Sequence, residues 1–74
     1  MLKYPAIFTQ EEDGRYNVEF PDLPGCYTYG NNLEHAMEMA EEVLELYIES
    51  LRDHGEPIPE PRKTILDLVT VGNG

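Results

Sequence analysis

Few side chains in this sequence could do chemistry, and they are scattered. His35, His54 and Cys26 are the candidate soft ligands or nucleophiles. Zinc sites draw on closely spaced pairs of cysteine and histidine. Here the two histidines lie nineteen positions apart and there is one cysteine, which favours two solvated helix histidines over a metal site. A catalytic thiol needs a neighbouring base. None accompanies Cys26 along the chain, so it reads as a small buried core residue. There is no glycine-rich phosphate loop and no Ser-His-Asp arrangement.

Carboxylates are abundant: Glu34, Glu38, Glu41, Glu42, Glu45 and Glu49 crowd one segment. Two-metal catalysis needs carboxylates converging from several elements, whereas glutamates around a single helix diverge, so they read as a solvated face. Met39 and Leu46 stand among them, seven positions apart and away from the core stripe. With Glu38, Glu42, Glu45 and Glu49 beside them, they form a candidate docking strip for a basic, partly apolar partner. Two unrelated exposed hydrophobes would show the same spacing.

The elements that must hold these residues follow from periodicity. Residues 4–9 alternate loosely, with Tyr4, Ala6 and Phe8 on one side, and Pro5 suits a strand start or an edge. The polar stretch QEEDG ends in Asp-Gly, a hairpin signal. Residues 15–20 alternate cleanly: Tyr16, Val18 and Phe20 face one way, Arg15, Asn17 and Glu19 the other, as in a half-buried strand. The corner PDLPG follows. Pro21 removes a ladder donor, Pro24 precedes Gly25 as a type II turn requires, and Leu23 between them is placed to fold onto the core. Residues 26–29 form a third strand, completing an antiparallel meander.

Residues 33–54 carry the helical pattern. Leu33, Ala36, Met37, Ala40, Val43, Leu44, Tyr47, Ile48 and Leu51 recur at intervals of three and four. Asn32 is a suitable N-cap, and Gly55 with Pro57 stops the helix. The prolines of residues 55–61 make a stiff extended link. Residues 64–71 then read as a fourth strand, buried on much of both faces. The predicted order is β-β-β-α-β, an α+β fold in one small domain. A helix of this length spans roughly 33 Å against about 20 Å for a six-residue strand. The overhang places Tyr47, Ile48 and Leu51 as candidate oligomerisation residues.

Composition constrains the partners. The 74 residues hold fifteen acidic against five basic residues, a formal net charge of −10. Such a surface repels phosphate, whereas nucleic-acid binding displaces counterions with lysine and arginine. The balance points to a basic protein partner. A chain this short buries only about 60% of its unfolded surface, which favours a homo-oligomer, a dimer or higher. One cysteine precludes an internal disulfide and fits a reducing compartment. With no apolar run of membrane-spanning length and no signal-peptide pattern at the start, a cytoplasmic location is expected.

These motifs resemble the HicB family of antitoxins. The resemblance rests on YPAIF at 4–8, the acidic turn with glycine, Y-x-V-x-FPDLPGC at 16–26, G-x-x-L-E-x-A at 30–36 and GEPIPEP at 55–61. It covers nearly the whole chain. It implies a partly degraded RNase H-like fold and a type II toxin–antitoxin role, in which the protein silences HicA, a small basic mRNA-cleaving toxin. The chain departs from the family's frequent Thr and Glu at the helix start, having Asn32 and His35. Many members add a C-terminal DNA-binding domain. Here thirteen residues follow Pro61, with Arg62 and Lys63 the only bases among them, so a single domain over 1–74 is expected, without operator binding of its own.

Active RNase H-like enzymes need a carboxylate in the middle of the first strand, and residues 4–9 contain none. The chain is therefore expected to be a non-enzyme without a cofactor. The alternatives are a stand-alone oligomeric HicB-like domain with another ligand and, less favoured, a metal-dependent ribonuclease using Asp67 and helix glutamates. A rival partner surface is the exposed sheet edge, where Arg15, Asn17 and Glu19 point outwards, together with the corner at 21–25.

Overall fold

The clean alternation at residues 15–20 becomes the central strand of a three-stranded antiparallel sheet. In the computed structural model the strands are β1 (Ile7–Gln10), β2 (Tyr16–Glu19) and β3 (Tyr27–Gly30), in spatial order β1-β2-β3, followed by α1 (Leu33–Asp53). The structure describes residues 3–63, 65, 67–69 and 72. Phe8, Val18 and Thr28 lie opposite one another across the three strands. Val18 and its strand neighbour Phe20 are buried with Leu23, Cys26, Ala36 and Ala40, while Tyr4, Ala6, Phe8, Tyr16, Val43, Leu44 and Tyr47 pack around them. One sheet face therefore carries the helix and the whole core. This is the α+β arrangement expected, and it is compatible with the first four elements of an RNase H-like fold.

Each connection has a local cause. Between β1 and β2 the chain turns at Gly14, whose φ of 92° favours glycine, and Glu11 N–H donates to the carbonyl of Arg15 at 2.7 Å. In the corner, Phe20 N–H donates to the Cys26 carbonyl and Cys26 N–H to that of Leu23, each at 3.0 Å. Pro24 and Gly25 (φ 78°) occupy the centre of that second turn. The turn tucks Leu23 fully into the core. Asn32 caps α1 by accepting from His35 N–H at 2.8 Å. His35 returns a bond through Nδ1, which accepts from Asn31 N–H at 3.0 Å. It thereby does the work of the glutamate in a capping box, one residue earlier in the chain.

The helix meets β3 at very close range. A Cβ built on Gly30 would lie 2.3 Å from the Ala36 nitrogen. The inner side of β3 carries Thr28 and Gly30, and Cys26, just before the strand, is buried with Ala36 and Ala40 of the helix. The larger side chains of that strand, Tyr27 and Tyr29, stand on the opposite face and are exposed.

Two expectations need correction. Leu33 and Met37 are exposed rather than part of the core. They belong to the first turns of α1, where the close approach to β3 leaves room only for the alanine row between them. The described part of the expected fourth strand, namely Ile65, Asp67, Leu68 and Val69, belongs to no strand, and all four residues are exposed rather than buried. A strand exists only through pairing with another strand, and these residues have none within the described chain. Positions 64, 66, 70 and 71 lie outside the described residues.

The extended link that follows α1 is fastened to the sheet end. The Tyr4 hydroxyl donates to the Pro59 carbonyl. Asp22 of the corner accepts from Arg62 twice, from the backbone N–H at 2.9 Å and from Nε. The Asp22 side chain is only 2% exposed. The backbone bond from Arg62, supported by its side-chain bond, holds the Asp22 carboxyl below its usual range. Burial, with Asp22 and Glu60 nearby, raises the Tyr4 hydroxyl above its ordinary value. The corner, expected to set shape, thus also clamps the link through Asp22.

Candidate protein-docking surfaces

The outer stripe of α1 is one candidate. Residues at intervals of three and four share a helix face, so Glu38, Glu42, Glu45 and Glu49 form a single row, and all four are exposed. Of the two expected anchors, Leu46 is 58% exposed and Met39 is half-buried. On the other side of the helix, Tyr47 packs against the core and its hydroxyl donates to the Pro24 carbonyl at 2.7 Å. Ile48 and Leu51 are half-buried.

The second candidate is the sheet face opposite the helix. The register lines up Ile7, Glu19 and Tyr27 in one row and Thr9, Asn17 and Tyr29 in the next. Tyr27 is 71% exposed and Tyr29 58%. A shallow hollow between the strands is lined by Ile7, Thr9, Asn17, Glu19 and Tyr27, and a second reaches the hairpin through Glu11, Glu12, Asp13 and Tyr29. Asn17 donates to Glu11 across the face. The cation here, Arg15, is engaged by Asp13 through Nε at 2.8 Å, and Asp13 also accepts its backbone N–H at 3.1 Å. Those bonds, the backbone one foremost, lower the Asp13 pKa.

Arg15, Asn17 and Glu19 are exposed as expected, but Asn17 and Glu19 lie on the central strand β2 and so belong to this face rather than to a sheet edge, and Tyr27 and Tyr29 were not among the expected residues. Their signal was present in the alternation with Cys26 and Thr28.

Neither surface has the form of a catalytic centre. Among the described residues no group of three or more histidine, cysteine, aspartate or glutamate side chains is arranged to hold a metal ion. Cys26 is buried, and burial raises its thiol pKa, which disfavours the thiolate. His35 is occupied in capping, and the His54 ring lies 2.7 Å from the Ser50 carbonyl at the other helix end. No described helix is long and apolar enough to cross a membrane.

The described residues thus form a small α+β domain with an exposed acidic row on its helix and two exposed tyrosines on the sheet face opposite that helix. Comparison with known proteins gives its family. Residues 4–70 match the family model described as the HicB-like antitoxin of bacterial toxin–antitoxin systems, and the chain belongs to that family. A UPF0150 protein of Thermoplasma acidophilum is 47% identical over 58 residues, covering 78% of this chain and 84% of that protein. The protein named antitoxin HicB 1 of Photorhabdus laumondii is 37% identical over 95% of this chain and 45% of its own length. Antitoxin HicB of Escherichia coli K12 is 33% identical over 81% of this chain and 44% of its own length. This chain therefore aligns with less than half of each of those two named antitoxins, and with most of the UPF0150 protein.

Proposed function

We propose that this protein is an antitoxin module that binds and neutralises a small basic mRNA-cleaving toxin of HicA type. Family membership supports the toxin–antitoxin role. The observation that carries the choice of partner is the formal charge of −10, which complements a basic protein and speeds its docking. In this reading the protein acts by occupancy, without catalysis or cofactor, in the cytoplasm and as a homo-oligomer built through Ile48 and Leu51 with Tyr47 beside them. DNA contact, where the complex makes any, comes from the toxin's bases rather than from this chain.

Two surfaces are open to the toxin: the helix stripe, with Met39 and Leu46 as anchors among Glu38, Glu42, Glu45 and Glu49, and the open sheet face. The function is tested first by the adjoining reading frame, which should encode a small basic protein, and then by co-expression with that protein. Growth should be restored, and the purified pair should form a complex that no longer cleaves RNA. Unchanged cleavage in the presence of excess antitoxin would refute the proposal.

A further inference from the structure

The antitoxin reading leaves open where the partner sits, and the open sheet face answers that question better than the helix stripe does. We infer that a basic surface segment of the toxin docks across the uncovered face of β1-β2-β3, with Tyr27 and Tyr29 as its anchors. The inference rests on the proposed toxin-binding role and adds its contact surface.

Three observations carry it. The first is shape. Among the described residues the helix covers one face of the sheet and nothing covers the other, which has a shallow hollow between Ile7, Glu19 and Tyr27. The second is residue type. Interface energy concentrates in a few large anchors, with tyrosine enriched among them. Two adjacent exposed tyrosines on a strand suit that role better than Leu46 and a Met39 already half-covered by its own chain. An aromatic face also attracts a lysine or arginine placed over it. The third is charge. Glu11, Glu12, Asp13 and Glu19 border the two tyrosine rows, and the cation among them is tied to Asp13. This border favours a basic segment. It disfavours a second copy of this acidic chain and disfavours the phosphates of nucleic acid.

The choice of surface also has a cause in the fold. Where α1 meets the end of β3 no side chain fits at Gly30, and strand alternation sets Tyr27 and Tyr29 on the face opposite to it. The strand that meets the helix thus also presents the aromatic patch on the opposite face.

The test is titration calorimetry of the small basic protein that the adjoining reading frame is expected to encode, purified and titrated against wild type and two variants. One variant carries Tyr27→Ala with Tyr29→Ala; the other carries Met39→Asp with Leu46→Asp. Both are first checked for wild-type helix content and cooperative unfolding. A single-site Glu19→Arg variant, which removes no anchor and reverses one border charge, stands in if the double tyrosine variant fails to fold. The inference expects the tyrosine variant to weaken binding at least a hundredfold, the Glu19→Arg variant at least tenfold, and the helix variant less than threefold. Wild-type affinity in the sheet variants, with loss in the helix variant, would overturn the surface assignment while leaving the antitoxin role standing. No binding by wild type at saturating concentration would overturn the antitoxin reading, and the surface with it.

Discussion

Replacing Gly30 with alanine should damage this fold more than any surface change. Gly30 needs no left-handed backbone; its constraint is space. The added Cβ would stand 2.3 Å from the Ala36 nitrogen, 2.5 Å from its Cα and 2.8 Å from the His35 carbonyl carbon. All three are backbone atoms, so no side-chain rotation relieves the contact. Ordinary contact begins near 3.4 Å, and the first turn of α1 must retreat by about 1 Å. That movement opens the seam between β3 and Ala36, which is completely buried. Overpacking typically costs about 1–3 kcal/mol, and the rigid backbone places this case at about 3 kcal/mol. A domain of this size has roughly 4–11 kcal/mol of stability in all. The midpoint of thermal unfolding should fall by about 12–24 °C. Far-UV circular dichroism during heating reads it directly. Gly72→Ala, where none of the described residues lies within 4 Å of the new Cβ, is the control. A Gly30→Ala midpoint within about 2 °C of wild type would refute the steric argument.

Three further outcomes follow from the same contacts. Asp22→Asn should loosen the hold of the corner on Arg62. Because the folded-state pKa of Asp22 is lowered, its contribution is present above the ordinary carboxylate value and is lost as pH falls through the folded value. The stability gap between wild type and variant, measured by urea unfolding, should therefore close in acid, and a gap that stays constant down to the lowest pH would contradict the clamp. Cys26, being buried with a raised thiol pKa, should react with a thiol reagent only after denaturation, and full labelling of the native protein at neutral pH would show the core is not closed there. Sedimentation equilibrium at micromolar concentration should show an oligomer, weakened more by Ile48→Asp or Leu51→Asp than by Glu49→Ala; a wild-type monomer of 8.5 kDa would refute the assembly.

Much of the architecture was legible in the residues because it is governed by local rules. The alternation around Val18, the turn at Gly25, the cap at Asn32 and the stop at Gly55 each depend on a few neighbouring positions, and each appears where the pattern put it. The acidic row of Glu38, Glu42, Glu45 and Glu49 is likewise a consequence of helical spacing alone. Other features depend on contacts between distant segments. That Asp22 holds Arg62 across forty positions cannot be read from either residue's surroundings. That Leu33 and Met37 are exposed depends on how α1 lies over β3, and a hydrophobic stripe does not specify that angle. That Tyr27 and Tyr29 face outwards could have been read from strand alternation once Cys26 was assigned to the core, but the reason lies in tertiary packing. The glycine and alanines of the seam bring two backbones together so closely that no ring fits between them. Sequence periodicity determined which residues share a face; only the packing of helix on sheet decided which sheet face the helix would cover.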